Sequence, residues 1–165
     1  MSSSEAGPVT NAPEQTISAP TPGVKLRALV LHELEFKRFG GQAPPAELEV
    51  PTRFRLGTHR LAEDALGVEF SLEIEQEDVV AFRIVYRAVF VRETDRPAPE
   101  DDLPFWRSVA GRVAPIVIFP YMRETFTGLA AKAGLPQLFL PVLNIGGIFP
   151  SESIAVQVTP PPKLD

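Results

Sequence analysis

The chain has 165 residues, a net charge of −5 and 44% hydrophobic residues, about one domain's worth with enough apolar side chains to build a core. It has no cysteine, which excludes disulfides and thiolate metal sites and suits a reducing compartment. Its basic residues are interleaved with acids and form no Lys/Arg stripe, which argues against a nucleic-acid surface. Residues 1–23 are rich in Ser, Pro, Thr and Ala and nearly free of large apolar side chains, so they read as a flexible tail. That start has no basic stretch followed by an apolar run, and no segment is long and apolar enough to span a bilayer. The expectation is a cytoplasmic protein without membrane insertion.

From Val24 to Phe39 the chain alternates as a strand, with Leu26, Ala28, Val30, His32, Leu34 and Phe36 assigned to one face. Gly40, Gly41, Pro44 and Pro45 break it. A second alternation sets Leu48, Val50, Thr52, Phe54 and Leu56 against Glu47, Glu49, Arg53 and Arg55, and Pro51 within it predicts a bulge or an edge position. The third, Val68 to Ile74 on alternate residues, faces Glu69, Ser71, Glu73 and Glu75 the other way. The fourth, Val79 to Arg92, is apolar on both faces except at Arg83, Arg87 and Arg92, as a more deeply buried strand would be. Short connections favour an antiparallel sheet, and the outward acidic and basic rows can pair across strands.

After the stiff break at Arg96–Glu100, Asp101 or Asp102 can cap a helix that starts near Leu103 and carries Phe105, Trp106, Val109, Ala110 and Val113 at helical spacing. Pro115 is expected to end it. A second helix starts at Pro120 and stops after Ala133, because Gly134 and Pro136 follow. Met122, Phe126, Leu129 and Ala133 form its apolar stripe. Beyond it lies a loop loaded with apolar surface and punctuated by Pro136, Pro141 and Pro150, then a short strand within 154–158 and an extended tail.

The run Phe119-Pro120-Tyr121-Met122-Arg123-Glu124, then Gly134-Leu135-Pro136-Gln137-Leu138-Phe139-Leu140, then Pro141-Val142-Leu143-Asn144 resembles the SecB family of protein-export chaperones. With the strand pattern ahead of it, the resemblance covers residues 24–149, with 150–165 as a C-terminal extension. It implies an α+β fold: a four-stranded antiparallel sheet with helices packed on one face, assembled as a tetramer, a dimer of dimers. The partners implied are unfolded or precursor polypeptides and the export ATPase SecA, with no cofactor. SecA docking implies acidic residues on the first strand, where Glu33 matches one position and Lys37 reverses the other. The family's long second helix has no counterpart here.

Two short helices against four long strands predict an apolar face left partly uncovered, and such a patch usually meets another chain. The expected client groove draws on Phe36, Trp106, Tyr121, Phe126, Phe139, Leu140, Leu143, Ile148 and Phe149, for several of which core packing is an equal reading. His32 and His59 have no metal-ligand spacing and no Ser beside them, and Gly146-Gly147 lacks the lysine of a phosphate loop. No nucleophile with its base is recognisable, so an enzyme is not expected. The functions that fit are a holdase chaperone, a SecB-like chaperone dedicated to one partner such as an antitoxin, and a structural assembly subunit.

Overall fold

The computed structural model describes residues 23–40, 51–76, 78–93, 102–135, 140, 149 and 155–158. Residues 1–22, most of the proline-punctuated loop and the extended tail lie outside them, as do Leu48, Val50 and Asp101. The alternating runs form β1 (Val24–Arg38), β2 (Thr52–Ala62), β3 (Ala65–Gln76) and β4 (Val80–Arg92), all antiparallel to their neighbours in the order β1-β4-β3-β2. Glu63 and Asp64 make the turn from β2 to β3. Asp78 turns the chain from β3 to β4 with φ of 58°, a left-handed conformation that its short polar side chain tolerates. A fifth strand, β5 (Gln157–Val158), joins the outer side of β2 in parallel, within the expected 154–158 stretch.

β1 departs from simple alternation. Bulges between Leu26 and Ala28 and between Leu31 and Glu33 each insert one unpaired residue, which flips the strand's faces twice. Leu26, Leu29, Leu31, Leu34 and Phe36 therefore stand opposite Phe90, Ala88, Tyr86, Ile84 and Phe82, on the face that carries the core. Ala28 and Val30, expected beside the leucines, face the other way. β2 starts one residue after Pro51 and forms an outer strand, a position where proline's missing N–H costs least.

The helical region differs from expectation. Three segments follow without a break: α1 (Leu103–Ser108), a π-helical turn (Val109–Val113) and α2 (Ala114–Lys132). Pro115 does not end a helix. It sits in the first turn of α2, directly after the π turn, whose wider register takes the Ala114 N–H to the Val109 carbonyl and absorbs the bond proline cannot make. Pro120 lies inside α2 instead of starting it. The stop at Gly134 holds: its φ is +74°, Leu135 N–H reaches Ala130 O at 2.8 Å and Gly134 N–H reaches Ala131 O at 3.0 Å, a Schellman motif with Leu135 buried beneath it. Ile118, Met122, Phe126 and Ala130 bury one side of α2 against Val68, Phe70, Leu72, Ile74, Phe82 and Ile84 of the sheet.

Candidate functional site

α2 crosses the sheet obliquely. Phe119 meets Phe54 of β2 edge to face at 6.0 Å, Phe126 meets Phe82 of β4 at 4.9 Å, and beyond its end Arg38 of β1 donates to the Ala133 carbonyl. The Tyr86 and Thr125 hydroxyls share a hydrogen bond of 3.0 Å that holds the middle of the helix over β4. Covering β2, β3 and β4 in this way leaves the core-facing side of β1 only partly covered, with Leu29 and Phe36 packed against the core. Leu26, Leu31 and Leu34 there remain 39%, 41% and 42% exposed. Tyr121, 46% exposed, stands on the adjoining flank of α2 with its ring 6.4 Å from that of Tyr86, the register partner of Leu31.

This apolar shelf lies on an edge strand of 15 residues, and both its side chains and its backbone edge invite a further chain. The apolar face is thus uncovered as expected, but the reason differs. The 19 residues of α2 span about 28 Å, longer than expected, and the gap is lateral, at the sheet's edge, instead of lengthwise. A second apolar feature flanks α2: a depression of about 420 Å³ lined by Phe119, Pro120, Arg123, Glu124, Thr127 and Gly128. A Cβ on Gly128 would meet nothing within 4 Å, so that flank faces open space.

The entry to α1 is held by charge. Asp102 occupies the N-cap position but its carboxylate makes no cap; it turns to accept from Arg60, from Arg92 at 3.4 Å and from the Trp106 indole N–H at 3.3 Å. Arg60 also donates to the Ala62 and Glu63 carbonyls of the β2–β3 turn, and both guanidiniums stack on the Trp106 ring at 5.2 Å. Hydrogen bonding from Arg60 is the main reason the Asp102 carboxyl titrates below the usual carboxylate range, helped by the Arg60 charge, the indole and Arg92 against the opposing effect of burial. The clasp fixes where the helical run begins relative to the sheet.

On the outer face the charged rows pair across all four long strands. Arg55 reaches Glu73 at 3.4 Å, Glu73 reaches Arg83 at 3.0 Å, and Arg83 reaches Glu33 at 2.9 Å; Arg87 pairs with Glu69 at 2.9 Å. Val85 and Ser71 stand on the same face as these rows and are buried although they point away from the helices. Glu33 shares Arg83 with Glu73 while its side chain stays 45% exposed, and Lys37 lies over the Phe39 ring at 5.9 Å.

The residues expected to line a groove separate into three groups. Trp106, Phe126 and Leu140 are fully buried in the protomer's own core. Tyr121 is exposed beside the shelf, while Phe36 and Phe149 are half-buried, reaching the core through Phe82 at 6.1 Å and Phe70 at 5.7 Å. Phe139, Leu143 and Ile148 lie outside the described residues. The shelf leucines 26, 31 and 34 were not singled out by sequence reasoning, although the apolar positions 26, 29, 31, 34 and 36 alternate steps of three and two, which is the signature of two bulges. Among the described residues, no group of His, Asp and Glu could hold a metal ion, and no helix is long and apolar enough to cross a membrane.

The antiparallel sheet carrying one long oblique helix on a single face is similar in fold to a solved SecB-like chaperone. The structure matches the SecB-like chaperone of Mycobacterium tuberculosis, solved in complex with a ChAD peptide from an antitoxin, with a TM-score of 0.59 and 20% identity, over 73% of this chain and 90% of that one. The protein-export protein SecB of Thiobacillus denitrificans is 25% identical over 116 residues, 70% of this chain and 72% of that protein. The SecB protein of Neisseria meningitidis serogroup A is 25% identical over 113 residues, 66% and 74% of the two chains. No protein-family model matches the chain. The chain is thus similar to SecB proteins over about 70% of its length and shares the fold of a SecB-like chaperone.

Proposed function

We propose that the chain is a holdase chaperone that works without ATP, keeping unfolded polypeptides from aggregating by binding them in extended form along the apolar surfaces that flank α2. The carrying observation is the shelf: Leu26, Leu31 and Leu34 on β1 with Tyr121 beside them, about 40% exposed where a sealed protomer would bury them. Surface of this kind accepts many apolar sequences because it demands no fixed polar partner. The likeness to SecB proteins supports the same reading, and with it we propose a homo-oligomer built as a dimer of dimers, located in the cytoplasm and without a catalytic role. The decisive assay is aggregation of a chemically denatured client with and without stoichiometric amounts of the purified oligomer. Delayed aggregation is expected, and an intact oligomer that delays no client's aggregation would overturn the proposal.

A second reading is favoured by one observation. Of the two first-strand positions at which the SecB likeness implies acids for SecA docking, Glu33 is paired with Arg83 and Lys37 carries the opposite charge. A SecB-like chaperone dedicated to one partner, such as an antitoxin, fits that face better than a general export factor. A pull-down dominated by a single protein supports dedication, whereas a diverse client set supports the general holdase. If the shelf is instead sealed inside an assembly, the oligomer will not bind a dye that reports exposed apolar surface.

A further inference from the structure

We propose that the shelf prefers client segments in which an apolar stretch ends in an acidic side chain, with Arg38 and Lys132 as the receiving cations; this rests on the polypeptide-binding reading above and names the class of segment that surface takes. The leucines of β1 supply the apolar part. Because of the two bulges, Leu26, Leu29, Leu31, Leu34 and Phe36 stand opposite every second residue of β4, so they recur about every 6.7 Å, the spacing of same-side side chains in an extended chain. From Leu26 to Leu34 the run covers about 20 Å. An extended segment with bulky apolar residues at alternate positions matches it rung for rung.

The crossing of α2 turns the shelf into a wedge with one closed end. Phe119 lies over β2 and Ala133 reaches β1, so along about 21 Å of helix the axis moves across three strand spacings, about 14 Å. The gap between α2 and β1 therefore widens away from Arg38, where it is shut. Arg38 follows Leu34 and Phe36 on the core-facing side, opposite Val80, and its guanidinium donates to the Ala133 carbonyl across the gap. Gly134 gives that approach room, since a Cβ there would lie 3.2 Å from the Arg38 Nη1. Lys132 stands in the last turn of α2, next to the bonded carbonyl. Two full positive charges thus meet a helix C-terminus worth about −0.5 charge, which leaves the closed end basic. The acids of the same strand lie elsewhere: Glu33 and Glu35 stand opposite Val85 and Arg83 on the outer face. Both cations are exposed, and the bond to Ala133 uses one of the five N–H groups of the guanidinium, so a carboxylate arriving along the leucines meets charge-assisted donors. Because the β1 rim beside it is exposed, the client chain passes on sideways, which suits an Asp or Glu side chain within a longer polypeptide. Uncharged segments are still held by the leucines alone, only less tightly.

The probes are three fluorescent, N-acetylated and C-amidated peptides that share one alternating-leucine stretch and end in Glu, Gln or Lys, titrated by anisotropy against the full-length protein, with circular dichroism for the fold. At low salt the Glu probe is expected to bind about threefold to tenfold more tightly than the Gln probe, and the Lys probe more weakly than either. High salt should shrink that spread, because exposed charges are screened. Lys132→Gln should lower the Glu-to-Gln affinity ratio by about twofold, and Arg38→Gln/Lys132→Gln should bring it to about one. Equal binding of the Glu and Gln probes by the wild type at low salt overturns the inference, as does a wild-type ratio in the folded double variant. Should the double variant not fold, an unchanged ratio in Lys132→Gln overturns it. In each of these cases the holdase reading stands, since the Gln probe still binds. If the wild type binds none of the probes, the polypeptide-binding reading fails and the acidic preference falls with it.

Discussion

Replacing Leu31 and Leu34 together by Thr tests the shelf most directly. Thr keeps strand propensity while removing most of the apolar surface, and both positions stay on the core-facing side of β1. Fully burying a leucine side chain is worth about 1.5–3 kcal/mol, so the roughly 40% that each leaves in water offers a bound chain about 0.6–1.2 kcal/mol. Two such residues supply about 1.2–2.4 kcal/mol, which converts to an affinity loss of roughly tenfold to fiftyfold. The protomer's own stability should move less than its client affinity, since the surface removed is partly solvated in the folded state. The assay is binding of a permanently unfolded polypeptide, with circular dichroism for the fold and sedimentation for the assembly. Unchanged affinity in a folded oligomer of normal mass refutes the shelf as a client surface. Unchanged affinity with a smaller sedimenting species assigns the leucines to the contact between protomers instead.

The Asp102 clasp makes a second prediction. Asp102→Ala leaves Arg60 and Arg92, whose side chains are 15% and 10% exposed, facing each other without a carboxylate, and should cost about 2–4 kcal/mol in thermal or urea unfolding. Because the folded carboxyl titrates below its unfolded value, its contribution is complete above the usual carboxylate range and is lost as pH falls through that range toward the lower folded value. Asp102→Asn should flatten that part of the stability profile; an acid limb identical to the wild type's would contradict the clasp. At Gly67 a Cβ would lie 2.5 Å from the His59 Nε2, so Gly67→Ala should destabilise by about 1–3 kcal/mol, and adding His59→Ala should recover most of it. Phe126→Ala, emptying the site between α2 and Phe82, should cost about 3–5 kcal/mol in the same unfolding assay while leaving the shelf residues in place.

Side-chain chemistry that acts locally could be read from the sequence. Period-two patterning placed four antiparallel strands, Gly134 marked the helix end through the one backbone conformation that glycine adopts freely, and the alternating acidic and basic rows became the paired ladder from Arg55 to Glu33. The family likeness was legible in the Phe119–Asn144 run for the same reason: it lies in a contiguous stretch. Pro115 misled because a proline's cost depends on which carbonyl it fails to meet, and the π turn before it removed that cost; Pro120 misled because it is carried inside α2 instead of starting it.

What only the tertiary structure decided is which apolar residues are left over. Phe126 and Trp106, which by sequence could be either core or groove, are buried by Phe82 and by the Arg60–Asp102–Arg92 clasp, groups distant in sequence. Leu31 and Leu34 look like ordinary strand interior, yet they stay open because α2 crosses toward β2 and leaves β1 at the rim. Pattern fixes the face on which a side chain points through backbone geometry a few residues long. Whether that face is covered depends on where a separate element lies, and the crossing of α2 over the sheet is set by contacts with no sequence-local signature.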